Sequence, residues 1–326
     1  MRQIAVGVIG TGKHGQRYLK HVRQDVPELR LVALCRRDAG AGAAQAAALG
    51  CRFHADWRAL IDDAEVEAVI VVVPPTLHAE VAAAVANARK PLLIEKPLAP
   101  TGAAARTIVE VLARASIPCL MAHTLRWNCV VRAVCAHLGG LGTLHALFLN
   151  QRFEPSPLAW LDDPAVSGGG MLIHTGVHSF DLVRHLTGRE VVRVWCRTTR
   201  VRTTRTEDNF SALLELAGSS ALVGVSGCRS TAARSGLIDV AGTEGQLVAD
   251  HQLGFGYIGR GVERTPLVLP EAAPTVCEAL RSFVRLVRDG EPPPTRLEDG
   301  ARAVLIAEAC RRSADAGGGP QDVDPL

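Results

Sequence analysis

Lys96 ends the apolar run Leu92-Leu93-Ile94, within the string Glu95-Lys96-Pro97. If that run is a buried parallel strand, the ammonium emerges at its carboxyl end, where open α/β sheets place their ligands. A lysine there can give and take a proton, whereas an arginine would hold charge without releasing it. Only three other lysines occur, Lys13, Lys20 and Lys90, against an abundance of arginine, so the residue type at 96 points to chemistry. A second string, Gly10-Thr11-Gly12-Lys13-His14-Gly15, directly follows the apolar run Ile4–Ile9 and opens a helix-like stretch. In that setting Gly10 permits a tight turn, Gly12 lets the backbone approach a pyrophosphate and Gly15 allows close helix–strand packing. The helix N-terminus adds stabilisation of negative charge. The string reads as a dinucleotide loop, with Lys13 and His14 in reach of phosphate or substrate.

The position at the end of the second strand, which holds the adenosine ribose in such loops, carries Arg36-Arg37-Asp38. Two guanidiniums suit a ribose 2′-phosphate and are poor acceptors for a ribose hydroxyl, which favours NADP over NAD. The alternative is Asp38 turned back to the ribose with both arginines solvated.

The elements that would position these residues alternate in the first third of the chain. Strands are expected at Ile4–Ile9, Leu29–Leu34, Ala68–Val73, Pro91–Ile94 and Pro118–Ala122. Helices are expected near Gly12–Val22, Ala39–Leu49, Thr76–Ala88 and Gly102–Ala115, the last with Thr101 as N-cap. Uniformly apolar strands separated by helices give an α/β domain with a covered parallel sheet. Beyond Ala122 the rhythm changes. Strand-like runs at Leu144–Phe153, Val191–Val201, Asn209–Leu216, Ala221–Gly227 and Leu237–Val240 come with few helices between them. They predict an α+β second domain on a mostly antiparallel sheet. One helix, about Met171 to Leu186, opens after Gly168-Gly169-Gly170. Two more, near Thr275–Arg288 and Arg296–Ala314, flank Glu291-Pro292-Pro293-Pro294. The expected division is 1–122, 123–316 and a flexible glycine-rich tail 317–326, with the last helix able to pack back on the first domain.

The 326 residues, 48% of them hydrophobic, suffice for two domains with real cores, and the formal charge of +3 is small for that length. No basic tract is interleaved with aromatics, so nothing points to nucleic acid. Nine scattered cysteines without a C-x-x-C pair fit a reducing cytoplasm. No signal-peptide core opens the chain and no stretch is apolar enough to span a bilayer.

The glycine loop, Glu95-Lys96-Pro97, Pro74-Pro75-Thr76-Leu77-His78, Arg126-Trp127-Asn128, and Gly168-Gly169-Gly170 before His174-Thr175-Gly176-Val177-His178 occur together in this chain. On these motifs the chain resembles the Gfo/Idh/MocA oxidoreductases over nearly its whole length. The resemblance implies an N-terminal Rossmann domain and a C-terminal α+β domain built on a large, mostly antiparallel sheet. It implies hydride transfer between a nicotinamide and a secondary alcohol or ketone of a sugar, inositol or related polyol. Lys96 would be the acid/base, partly buried beside a cationic ring, and His178 the histidine that contacts or relays to the same oxygen. The aspartate usually four residues earlier is replaced here by His174. On one helix His174 and His178 would face the same way. A histidine supplies no fixed negative charge, so Lys96 would deprotonate at lower pH than in relatives with the acid.

The resemblance also carries cofactor contacts to Gly10, Thr11, Gly12, Lys13, His14, Gly15, Arg36, Arg37, Pro74, Pro75, His78, Glu95 and Lys96. Substrate contacts go to Lys96, His123, Arg126, Arg152, Trp160, His174 and His178. Arg126 would hold an anionic group or else form an ion pair. His174, His178, Asp181 and His185 also line one helix face, yet no metal is expected. A homodimer or homotetramer is implied. Two other readings stay open: redox-neutral elimination or glycoside cleavage with a retained dinucleotide, and a non-catalytic dinucleotide sensor.

Overall fold

The structure, a computed structural model, describes residues 2–326. It divides into two compact units. The first runs to Ala99 and takes in Ala103–Thr124 and Pro274–Ala301; the second comprises Pro100–Gly102, Leu125–Ala273 and Arg302–Leu326.

In the first unit the elements are β1 (Ile4–Ile9), α1 (Gly15–Gln24), β2 (Leu29–Cys35), α2 (Ala39–Leu49), β3 (Arg52–His54), α3 (Trp57–Asp62), β4 (Ala68–Val71), α4 (His78–Ala88), β5 (Leu92–Glu95), α5 (Gly102–Ala115) and β6 (Cys119–Ala122). Every pairing is parallel, in the order β3-β2-β1-β4-β5-β6. The reversal of winding beside β1 is the switch point at which such sheets bind ligands. All six residues of β1 and all four of β4 and of β5 are buried. That matches the unbroken apolar runs and means that side chains leave the core only where the strands end. The edge strand β3 and the helix α3 were not expected. Three residues reading Arg-Phe-His carry no apolar alternation, and a six-residue helix is too short to show a period. Asp56 caps α3 by accepting from the Arg58 N–H.

The second unit contains α6 (Cys129–His137), β7 (Leu144–Arg152), α7 (Pro164–Ser167), α8 (Val177–Thr187), β8 (Val191–Thr199), β9 (Asn209–Leu216), β10 (Leu222–Cys228), β11 (Ser235–Gly242), β12 (Gly245–Asp250), β13 (Phe255–Arg260) and β14 (Glu263–Pro266). With β15 (Gln321–Asp322) at one edge, its nine-stranded sheet has the order β14-β13-β12-β11-β7-β10-β9-β8-β15 and is antiparallel except for the parallel pair β10 and β7. Alternation is strict in β9, where Phe210, Ala212, Leu214 and Leu216 are buried and the residues between them are not.

After β14, α9 (Thr275–Asp289) returns to the first unit and packs on α1 and β6. The helix α10 (Leu297–Asp315) belongs to that unit as far as Ala301 and to the second from Arg302. Besides the expected break, met at 124/125, the chain crosses this division again at 273/274 and 301/302 and makes a brief excursion at Pro100–Gly102. The tail is ordered, contrary to expectation: β15 (Gln321–Asp322) pairs antiparallel with β8. Arg193 Nε donates to Asp322 Oδ1 at 2.7 Å and Arg312 Nη2 to the Asp322 carbonyl at 2.7 Å. Glycines 317–319 shape the turn that lets the last residues close a sheet edge. Among the described residues no helix is long and apolar enough to cross a membrane.

Candidate active site

The glycine loop leaves the carboxyl end of β1 and enters α1. Gly10 has φ +94°, and a Cβ on it would lie 2.3 Å from the Val72 carbonyl oxygen. A Cβ on Gly15 would meet the Gly10 carbonyl oxygen at 2.0 Å, so both glycines are required by the loop itself. Gly12 differs: a Cβ there would meet nothing within 4 Å. Its hydrogen faces open space, which is what a pyrophosphate lying on the loop needs. No side chain caps the start of the ten-residue α1, and with the Gln16 N–H on the Gly12 carbonyl at 2.9 Å and the Arg17 N–H on the His14 carbonyl at 3.0 Å the positive end of the helix dipole faces the loop. Thr11 is fully buried and its hydroxyl donates to Gln45 Oε1 at 2.7 Å, which pins the loop from beneath. The loop fits a dinucleotide phosphate.

At the end of β2 Arg36 is part-buried and Arg37 exposed, and among the described residues neither enters an ion pair. Asp38 is engaged locally as the N-cap of α2, where its Oδ1 accepts from the Ala41 N–H at 2.9 Å. The guanidiniums, and not the carboxylate, are the groups left at this strand end.

At the end of β5 Glu95 is buried, with 4% of its surface exposed. Its Oε1 accepts from Tyr18 Oη and from His14 Nε2, each at 2.6 Å, and its Oε2 accepts from the Lys96 N–H at 2.9 Å. Burial raises the Glu95 carboxyl, but His14, the neighbouring Lys96 charge and the Tyr18 hydroxyl outweigh it and hold the group down at about 2. Ionised Glu95 can only accept, so His14 Nε2 carries the shared proton. Tyr18 is fully buried, and burial together with the Glu95 charge drives its phenol well above the ordinary range. One carboxylate thus ties the glycine loop after β1, the helix α1 and the backbone of Lys96 together at the carboxyl edge of the sheet. Tyr18 had no place among the expected site residues. The signal was present: it is one of two tyrosines, four residues after His14 at the start of a helix. Both Glu95 oxygens bond within the protein, which gives its side chain a positioning role at this edge.

Lys96 is part-buried and follows β5 immediately, with a cis bond to Pro97. Pro74 leads into a short 3₁₀ turn after β4 that opens on buried Pro75. His78 was expected at the cofactor, but it is fully buried, its Nδ1 3.0 Å from the Leu98 carbonyl and its Nε2 3.1 Å from the Val73 carbonyl. Burial lowers its pKa against the pull of those carbonyls. It braces the Lys96 turn against the loop after β4 and contributes no exposed ring. His123 directly follows β6 and is buried. Lys13 is exposed on the glycine loop.

In the second unit the histidine motif is not one regular α-helix. Leu172–Gly176 forms a π turn that continues into α8. Glu207 shapes its entry: the Met171 N–H donates to the Glu207 carbonyl at 2.8 Å and the Leu172 N–H to Glu207 Oε1 at 3.0 Å. A Cβ on Gly170 would lie 2.0 Å from that same carbonyl, which accounts for the last of the three glycines. Because the π turn is wider than an α turn, the expected shared face of His174 and His178 does not form as an α-helical pair. His174 is buried at 6% exposure and His178 is part-buried. Trp160 packs edge-on against His174, with ring centroids 5.7 Å apart, so these two expected site residues do meet.

Arg126 takes the ion-pair alternative, within the second unit, and the expected substrate contact of Arg152 is corrected. Arg126 is bonded in fork geometry to buried Asp181, Nε to Oδ2 at 2.9 Å and Nη2 to Oδ1 at 2.5 Å, so its charge is neutralised inside the unit. Arg152 follows Gln151, whose side chain reaches Ser179 of α8 beneath the sheet. By alternation Arg152 lies on the opposite face, where Nη2 donates to Ser226 Oγ at 3.0 Å. The Asp181 ion pair also breaks up the polar stripe His174, His178, Asp181 and His185. Among the described residues no three His, Cys, Asp or Glu side chains gather as a metal site.

Comparison with known proteins agrees with this geometry. Residues 4–123 match the family model described as "Oxidoreductase family, NAD-binding Rossmann fold", and residues 136–248 match the "GFO/IDH/MocA C-terminal domain". Inositol 2-dehydrogenase 1 of Saccharopolyspora erythraea is 30% identical over 332 residues, covering 96% of this chain and 95% of that protein. Inositol 2-dehydrogenase 2 of the same organism is 35% identical over 202 residues, which span 60% of this chain and 57% of the relative. An oxidoreductase domain protein from Kribbella flavida superposes with a TM-score of 0.91 at 23% identity, all of each chain being covered. With matches that run through both of its units, the chain belongs to the Gfo/Idh/MocA family of oxidoreductases.

Proposed function

We propose that this protein is a dehydrogenase that interconverts a secondary alcohol and a ketone on a sugar, inositol or related polyol, with NADP(H) as the preferred dinucleotide. The observation that carries the reading is the Glu95 network, which fixes the open glycine loop and the backbone of Lys96 at one edge of one sheet. The inositol dehydrogenases among its relatives support the substrate class. When bound, the dinucleotide supplies the hydride donor or acceptor. Lys96 takes the hydroxyl proton in oxidation and returns it to the carbonyl oxygen in reduction, while His178 and His174 orient that oxygen and relay the proton. Arg36 and Arg37 select the 2′-phosphate, a preference supported by the engagement of Asp38 in capping α2.

The test is a spectrophotometric screen of inositols, aldoses and sugar acids with both dinucleotides. The reading expects turnover with at least one polyol, and a preference for NADP(H) that reverses in Arg36→Asp. Absence of dinucleotide-linked turnover across the panel would sink the enzyme reading, and an unchanged preference in the variant would sink the NADP assignment.

We also propose that a second copy covers the outer face of the large sheet. Phe148, Leu213 and Leu222 are 46%, 58% and 69% exposed there, and Phe148 and Leu213 flank Gly224 on adjacent strands. Exposed apolar side chains grouped on one sheet face support a contact surface there. Light scattering should give a dimer or tetramer mass that falls in Phe148→Glu; a monomer in the parent would contradict it.

A further inference from the structure

Arg229 follows β10, where Val223, Val225 and Gly227 are buried on the face covered by the π turn and α8. Continuing that alternation puts Arg229 on the same face. Its Nη2 donates to Thr175 Oγ1 at 2.9 Å, and Thr175 is a buried residue of the π turn, next to His174 and three before His178. A guanidinium has five N–H donors, and Thr175 uses one of them. Among the described residues no carboxylate pairs with this side chain. The neighbouring Asp208, whose carbonyl accepts from the Arg229 N–H, has its carboxylate filled by the N–H groups of Val201, Arg202 and Thr203 and by Asn209 Nδ2. Other arginines of this unit are treated differently. Arg126 is neutralised by Asp181 and Arg184 by Glu190, both in fork geometry. Burial lowers the pKa of Arg229, and no acidic side chain among the described residues offsets it.

We propose that Arg229 binds an anionic substituent, a carboxylate or a phosphate, on the polyhydroxylated substrate, and so makes this protein selective for acidic sugars over neutral ones. The inference rests on the proposed dehydrogenase reading, in which the neighbouring histidines contact the substrate. A planar fork of N–H donors suits either anion, and Thr175 fixes the plane of the fork.

The experiment is calorimetric binding to the NADPH-saturated protein of matched probes: D-glucuronate, D-gluconate and D-galacturonate for the carboxylate, glucose 6-phosphate for the phosphate, and glucose and galactose as neutral parents. At least one anion should bind about 10-fold or more tighter than its parent, and the better arm names the source of the charge. In Arg229→Met the ratio of anion to parent affinity should fall about 10-fold or more, to near one, with Arg229→Lys intermediate. Because Met removes an unneutralised charge from a part-buried position, its thermal midpoint should be at or above that of the parent, which separates binding from folding. The proposal is overturned if no anion outbinds its parent, or if the ratio survives in Arg229→Met. Anion binding that tracks Arg229 without any dinucleotide-linked turnover would uphold this site and remove the dehydrogenase reading. Turnover of neutral polyols with an unchanged ratio would do the reverse.

Discussion

Replacing Glu95 by Gln keeps the shape of the side chain and removes its charge. In the parent, Oε1 serves Tyr18 and His14 and Oε2 serves the Lys96 N–H, so the amide must present its NH₂ to a donor on one side or the other. The cost can be bounded from the carboxyl itself. A group held at about 2, against an ordinary value of 4.5, prefers its ionised folded form by about 3 kcal/mol. Glu95→Gln should therefore lose up to about 3 kcal/mol and lower the thermal midpoint at pH 7 by about 5–10 °C. Tyr18→Phe, which removes one hydrogen bond and leaves the charge, should lose about 1 kcal/mol. The pH dependence has a fixed sign. The folded carboxyl lies below its unfolded value, so its contribution is complete above about 4.5 and is lost as pH falls towards about 2. Melting curves of parent and Glu95→Gln, followed by circular dichroism from pH 7 to 3, should converge below pH 4.5. Equal midpoints at pH 7, or a gap that stays constant down to pH 3, would refute the claim that an ionised Glu95 holds this edge together.

The glycine loop makes a paired prediction. Gly10→Ala puts a Cβ 2.3 Å from a carbonyl oxygen at φ +94° and should destabilise by about 2 kcal/mol or more, whereas Gly12→Ala has open space and should melt within about 1 °C of the parent while weakening NADPH in a fluorescence titration. Melting of both variants in the absence of dinucleotide separates the two roles. Restoring the carboxylate at position 174 with His174→Asp should raise the pH at which Lys96 loses its proton, moving the ascending limb of the oxidation rate upwards by about one pH unit. Coincident limbs would show that residue 174 has no part in that ionisation.

The first unit was legible because parallel strands buried on both faces appear as unbroken apolar runs. Ile4–Ile9, Ala39–Leu49 and Gly102–Ala115 fall where those runs and the alanine-rich stretches put them. The loop glycines were equally legible, since their spacing is dictated by backbone contacts at the strand ends. The features that stayed hidden depend on partners distant in the chain. Glu95 meets His14 across 81 residues and Tyr18 across 77, so its role as a tie-bar could not be read locally. His78 likewise looks like a polar loop residue until the carbonyls of Val73 and Leu98 close on it. The π turn escaped because Glu207, which shapes its entry, lies 35 residues downstream of Leu172. Arg126 and Arg229 are indistinguishable as letters; only the placement of Asp181 shows which one is neutralised. The tail was misjudged on composition, since three glycines said nothing of the Arg193 and Arg312 contacts that hold Asp322 in place.

The central claim is that Lys96 moves the proton at the reacting oxygen. Its most direct test is kcat for the best polyol of the screen in Lys96→Met, measured beside the NADPH dissociation constant of the same variant. A loss of about 100- to 10,000-fold in kcat, with dinucleotide affinity within about threefold of the parent, is the predicted result. Turnover within about tenfold of the parent, at unchanged affinity, would contradict the account.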